Sequence, residues 1–238
     1  MPDTPFAPLS PKVILGIAAH PDDLDVTAGG TLAHFAKQGA EIHYLILTDG
    51  SKGSDDPTMT TEQLIQTRQA EQKAALELIG GSSITFLGYP DGELEITLEL
   101  KKRIVQTIRT VKPDVVITMD PTVVYSAARG IINHPDHRAA GQAALDALFP
   151  LARDRLAFPE LYEQHKPHKV TTVLMANFNE STFTVDISDS IDTKIRMIQA
   201  HPSQFGTQEP GWLRDMARAQ GEPAGFDFGE GFVRVDVR

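Results

Sequence analysis

The 238-residue chain contains no cysteine. That absence excludes disulfide staples and thiolate metal ligands, so any metal must be held by nitrogen and oxygen donors. Cationic side chains are outnumbered, 22 Lys and Arg against 32 Asp and Glu, giving a formal charge of −10. Nucleic-acid affinity rests largely on neutralising phosphates with Lys and Arg, so this balance argues against a nucleic-acid partner, though not against a local pocket for a small anion. Long apolar runs are missing too; those present are of strand length, far short of a membrane span. The stretch Met1 to Lys12 lacks the basic start and apolar centre of a signal peptide. A cytoplasmic protein with no membrane partner is therefore expected. There is no internal repeat and no low-complexity tract, and 41% hydrophobic with 23% charged residues suits an ordinary globular core.

Strand and helix patterns alternate, which predicts an α/β fold, a mostly parallel sheet with helices on both faces. Val13–Ala19 reads as a first buried strand, followed by a helix over Thr27–Gln38 that Gly39 terminates. Glu41–Leu47 is a second strand, and Thr60 with Gln63 forms a capping-box signature for a helix reaching Ile79. Ile84–Leu87, the turn Pro90 to Gly92, helix Leu98–Val111 and strand Val115–Met119 follow. Asp120 to Asn133 reads as a loop, and His134 opens a helix to about Leu148. Beyond it lie strands Val170–Ala176 and Phe183–Ile187, a helix from Ser190 to Ala200 and a short helix near Trp212–Ala219. The alternation in Phe232–Arg238, with Val233, Val235 and Val237 on one face, predicts a half-buried or edge strand. One domain over residues 1–238 is expected, with 149–238 as its C-terminal elaboration.

Two His-Pro-Asp motifs carry the chemistry. His20-Pro21-Asp22-Asp23 follows the first strand directly, where open α/β sheets place their ligand crevice. His20 and Asp23 can converge on one cation, leaving Asp22 as a candidate base. In His134-Pro135-Asp136-His137, Pro135 suits the first helical position, so His134 lies near the cap and His137 one turn inside. His20, Asp23 and His137 then supply three ligands and leave a fourth position for water, the arrangement of a catalytic zinc site. Zinc lowers the pKa of bound water from 15.7 to about 7. Asp22 could accept the proton, and His134, held by Asp136, could stabilise the oxyanion or protonate the leaving amine. Each motif alone could equally be a helix cap favoured by the macrodipole; finding both at strand ends favours a site. A nucleotide-binding module would instead carry G-x-G-x-x-G after the first strand, which is absent.

Ala19 to Asp23 with Gly29-Gly30-Thr31-Leu32, together with His134 to Arg138, resembles the LmbE/PIG-L family of zinc-dependent N-deacetylases. Thr48-Asp49-Gly50 with Gly53, Arg68 to Glu71, Leu87 to Gly92, and Lys194 with His201-Pro202-Ser203-Gln204 extend the likeness, in the family's order, over residues 13 to about 205. The resemblance implies a Rossmann-like fold of the LmbE type that hydrolyses the acetamide of an N-acetylglucosamine-type sugar or conjugate. It implies zinc on His20, Asp23 and His137, Asp22 as general base, and His134 with Asp136 as electrostatic partner or acid. It also implies sugar contacts from Arg68 and Asp91; taken alone, Arg68 reads as an ion-pair partner of Glu71. A metal-dependent amidase acting on another amino-sugar conjugate is the alternative.

Two departures stand out. The acid that many members carry directly after Asp-Asp is here Leu24, with Asp25 next, and Lys52 stands where acidic residues are frequent. Tyr125 and Arg129 precede the second motif and read either as substrate contacts or as solvated loop residues. Zinc is the expected cofactor, with Fe²⁺, Co²⁺ or Mn²⁺ as alternatives. The expected partners are a small amino-sugar substrate and further copies of the chain in a homo-oligomer.

Overall fold

Buried side chains alternate along the first strand: Leu15 and Ile17 enter one core layer while Ile14 and Ala18 enter the other. A strand buried on both faces needs helices on both sides, and this chain supplies them. Residues 6–238 are described by the structure, a computed structural model. Their order is β1 (Val13–Ala18), α1 (Asp23–Lys37), β2 (Glu41–Thr48), α2 (Thr61–Glu77), β3 (Ser83–Tyr89), α3 (Leu98–Val111), β4 (Val115–Met119), β5 (Tyr125–Ser126), β6 (Ile131–Ile132) and α4 (Pro135–Asp146). They continue with β7 (Thr172–Ala176), β8 (Phe183–Asp186), α5 (Ile191–Gln199), α6 (Pro202–Phe205), α7 (Trp212–Gly221) and β9 (Gly229–Asp236). No helix among the described residues is long and apolar enough to cross a membrane.

Seven strands form one sheet in the order β3-β2-β1-β4-β7-β9-β8. Pairings β1–β2, β1–β4, β2–β3 and β4–β7 are parallel, and only β9 runs against its neighbours β7 and β8. Side chains of α3 and α4 fill one layer, with Leu100, Ile104, Val105 and Ile108 as the apolar stripe of α3. Side chains of α1, α5 and α7 fill the other. The strand order reverses between β1 and β4, so the loops leaving these two strands flank a crevice. Both His-Pro-Asp motifs lie there.

Several boundaries differ from expectation. Helix α1 begins at Asp23, four residues before Thr27, because Asp22 adopts φ 105° and turns the chain straight from β1 into the helix. The loop Asp120 to Asn133 contains the small antiparallel hairpin β5–β6. The tail strand β9 is internal, between β7 and β8, so an edge position is corrected. Burial along it does not follow polarity: Arg234 is buried over the rings of Phe6 and Phe183 and pairs with Asp236 at 2.9 Å, while Val235 is exposed. Residues 149–169 form an irregular connection. It is pinned by the buried Arg109, which donates to the carbonyls of Leu151, Ala152, Asp154 and Ala157.

Candidate active site

The turn after β1 is held by neighbours on every side. The carbonyl of Ala19 accepts from the amide and hydroxyl of Thr48 at the end of β2, both at 2.8 Å. Pro21 lies against Gly50, where a side chain would meet the proline ring at 2.9 Å; Gly50 also has φ 64°, so glycine is required twice over. Arg68 on α2 donates to the carbonyls of Pro21, Gly50 and Lys52 and to Asp22 Oδ2 at 3.1 Å. The second motif is set against β4 by Gly141: a side chain there would run into the Met119 carbonyl, so α4 can approach the strand end only with glycine.

Donor atoms of His20, Asp23 and His137 then come close together. His137 Nε2 lies 3.1 Å from Asp23 Oδ1 and 3.3 Å from His20 Nδ1, and His20 Nδ1 lies 3.6 Å from Asp23 Oδ2. For ligand bonds of 2.0–2.1 Å the edges of a tetrahedron are roughly 3.3 Å; the edges at His137 Nε2 match, while Asp23 meets the two histidines with different oxygens. Among the described residues, the groups whose ligand atoms all lie within 4.8 Å of one another are His20 with His134 and His137, and His20 with Asp91 and Asp136. The outer partners agree. His20 Nε2 stands 3.2 Å from Asp91 Oδ1 and 3.3 Å from Asp136 Oδ2, which gives Nε2 a proton, so a cation on His20 would bind at Nδ1. His137 Nδ1 faces Asn133 Oδ1 at 3.0 Å, which likewise leaves the Nε2 lone pair inward. Two imidazole lone pairs and a carboxylate this close repel one another unless a cation or proton sits between them. The donor set of two histidines and one aspartate suits zinc.

Asp91 and Asp136 also neighbour His20, but their oxygens accept from backbone amides: Lys52 onto Asp91 at 3.0 Å, Gly92 and Leu94 onto Asp136 at 2.7 and 3.2 Å. They therefore orient His20 from outside. Asp136 was expected to hold His134 through its carboxylate; the contact runs instead from its backbone N–H to His134 Nδ1 at 3.2 Å, the helix cap. With Nδ1 accepting, neutral His134 carries its proton on Nε2, and the ring stands 4.7 Å from that of His20 between centroids.

Electrostatics follow from crowding. Although burial opposes a charge on His20, its hydrogen bonds to Asp136, Asp23 and Asp91 push it up to about 12. Burial also opposes ionisation of Asp23, yet His137 and His20 hold it well below the usual carboxylate range. For Asp91, burial is outweighed by His20 and the Lys52 amide, holding it at about 2. Burial pushes Asp22 up to about 7, with adjacent Asp23 adding to the effect and Arg68 opposing it. His134 is lowered by burial and by the neighbouring charge of His20, which favours its neutral form.

All eight site residues anticipated from sequence meet in this crevice, but Arg68 and Asp91 are turned inward. Arg68 does not pair with Glu71; that carboxylate accepts from the amide and hydroxyl of Ser203. Lys52 pairs at the surface with Glu93 at 3.1 Å, and Tyr125 is exposed on β5. Sequence reasoning missed Asn133, although its place four residues before His137 was a usable signal. It also missed Gln72, which has no motif of its own. Lys194 and His201 are fully buried anchors: Lys194 pairs with Glu230, and His201 Nε2 lies 2.6 Å from Asp25 Oδ2. Carboxylates at the start of α1 would repel a phosphate, which removes the nucleotide-binding alternative.

The family model described as PIG-L: GlcNAc-PI de-N-acetylase matches residues 15–148. A diacetylchitobiose deacetylase of Thermococcus kodakarensis is 33% identical over 225 residues, 92% of this chain and 82% of that protein. A 1D-myo-inositol 2-acetamido-2-deoxy-alpha-D-glucopyranoside deacetylase of Rhodococcus erythropolis is 28% identical over 243 residues, covering 82% of each. Among solved structures, the N,N'-diacetylchitobiose deacetylase of Pyrococcus horikoshii superposes with a TM-score of 0.85 at 29% identity, over 95% of this chain and 84% of that one.

Proposed function

We propose, from the premise that the chain belongs to the PIG-L family of GlcNAc-PI de-N-acetylases, that it is a zinc-dependent hydrolase removing the acetyl group from an N-acetylglucosamine-type sugar or conjugate. The observation that carries this reading is the approach of His20, Asp23 and His137 donor atoms to one another beside the Asp22 carboxylate that Arg68 holds. Those three residues would hold the cation, with Fe²⁺, Co²⁺ or Mn²⁺ able to take the same donors. When bound, such a cation supplies Lewis acidity, which makes water more acidic and an amide carbonyl more electrophilic.

The chain's own groups do the rest. Asp22, poised near neutrality and held through Oδ2 by Arg68, accepts the proton of the attacking water. His134, with its proton on Nε2, donates to the acetamide oxygen as negative charge grows there. The C–N bond then breaks, and the amine nitrogen takes up a proton, equivalent to the one Asp22 removed, as acetate and free amine leave. Asp136 and Asp91 keep His20 in the ligating tautomer. In this proposal Arg68 and Asp91 serve the substrate by aiming Asp22 and His20.

Acetate release across a panel of N-acetyl sugars and their conjugates tests the reading. Chelation should abolish turnover and zinc should restore it, while Asp22→Ala should lose about 10²–10⁴ in kcat with zinc still bound. Turnover that survives removal of the metal, or an Asp22→Ala variant as fast as the native enzyme, would sink the assignment.

A further inference from the structure

Asp22 occupies a backbone conformation that a residue with a side chain rarely takes, φ 105° and ψ −31°. Such strain costs about 1–3 kcal/mol and persists only where surrounding groups over-determine it. Here it has a purpose visible in the geometry. The kink sends the carboxylates of two consecutive residues to different partners, Asp22 toward Arg68 and Asp23 toward His137. The carbonyl of Asp22 accepts from the amides of Asp25 and Val26, each at 3.0 Å, as α1 begins. Its amide N–H points the other way, into the buried side of α2, and donates to Gln72 Oε1 at 2.8 Å.

Gln72 is fully buried and cannot turn round. Its Nε2 donates to Asp25 Oδ2 at 2.7 Å, and Asp25 is itself fully buried and ringed by donors. The Tyr44 hydroxyl reaches Asp25 Oδ1 at 3.0 Å, and His201 Nε2 reaches Oδ2 at 2.6 Å. The Asp22 amide N–H can only donate, so it fixes which end of the Gln72 amide faces it, and the NH₂ end is presented to Asp25. The slot has a donor on one side and an acceptor on the other, and only an amide bridges both. The shift of the acid from position 24 to 25 now has a physical sense. Leu24 lies under Gly16 of β1, while Asp25, one step round the helix, faces α2 and the segment before α6.

We propose that Gln72 is the positioning residue of the base: it locks the strained Asp22 backbone, and Asp25, held by Tyr44 and His201, aims Gln72. This rests on the reading of Asp22 as base. Gln72 touches none of the three ligating side chains through the hydrogen bonds described, so its loss should alter proton transfer more than metal binding.

The test uses the full chain with Gln72→Met, a near-isostere that cannot bridge, and Gln72→Glu, which sets a second carboxylate against Asp25. In zinc-loaded enzyme, Gln72→Met should lower kcat 10- to 100-fold, with KM and Co²⁺ affinity each within threefold of native. Hydrogen exchange at the Asp22 amide should speed up at least 100-fold. In an Asp22→Ala background, adding Gln72→Met should cost no further kcat. The proposal is overturned if Gln72→Met keeps half of native kcat, if the same loss appears without Asp22, or if Co²⁺ affinity falls in step with kcat. Should Gln72→Met not fold, Gln72→Leu is read by the same criteria, whereas Gln72→Glu, which keeps an acceptor for the Asp22 amide, should keep that exchange slow. Where residual turnover in the Asp22→Ala background is too slow to measure, the exchange rate decides. An active Asp22→Ala variant refutes the base reading itself, whatever Gln72 does.

Discussion

Asp136→Asn isolates what the outer carboxylates contribute. All three of its neighbours are donors: the amides of Gly92 and Leu94, and His20 Nε2. An asparagine has one acceptor end, so one neighbour must face an NH₂ group. The least harmful flip gives up Leu94 at 3.2 Å and keeps the oxygen on Gly92 and His20, but without the charge that holds the proton on His20 Nε2. The opposite flip faces an NH₂ to His20, drives its proton to Nδ1 and removes a ligand lone pair. Changes to such outer partners cost about 10–100-fold in metal affinity, or about 1.4–2.8 kcal/mol. The unpaired amide adds about 1–3 kcal/mol of lost fold stability. Competition for Zn²⁺ with a chromogenic chelator reads the first effect and denaturant titration the second. An affinity within threefold of native, with the native unfolding midpoint, would refute the role given to Asp136.

Other expectations follow from the packing. Glu230→Gln leaves Lys194 as a buried, uncompensated charge, which costs about 3–5 kcal/mol and should lower the melting temperature by about 6–20 °C; a shift under 2 °C in a thermal melt would contradict the pairing. Gly141→Ala forces α4 away from the Met119 carbonyl at a cost of about 1–3 kcal/mol. Because α4 carries His134 and His137, Zn²⁺ affinity should weaken at least tenfold in the same variant; a stability loss without an affinity loss would show that the helix and strand adjust independently.

The candidate site was legible because most of its residues fall in two short motifs and strand ends announce themselves. His20, Asp22 and Asp23 follow an apolar run directly, and Pro135 marks the helix start that places His134 and His137. The start of α1 was not legible, since a left-handed Asp22 is dictated by Gln72 and Arg68, dozens of residues away. Two-residue strands such as β5 and β6 carry no periodicity to detect. The pattern in Phe232–Arg238 misled for a clear reason: Arg234 is buried by rings and a carboxylate, so its charge does not mark a solvent face. Likewise nothing local in Arg68 or Asp91 shows that they face Asp22 and His20.

The pair Lys194–Glu230 carries a consequence for how the chain matures. Glu230, on β9, accepts from the amides of Gly30 and Thr31 in the middle of α1, and Lys194 donates to the carbonyl of Val26. The helix that bears Asp23, a ligand in the proposed site, is thus buttressed by a residue 200 positions later in sequence. While a ribosome is still adding residues 38 to 229, α1 exists without that buttress, and β7 and β8 wait for the strand that lies between them. Contacts so distant in sequence form late and slowly. Metal capture should therefore be among the last events in the life of a new molecule, and nascent chains halted before β9 should emerge without zinc.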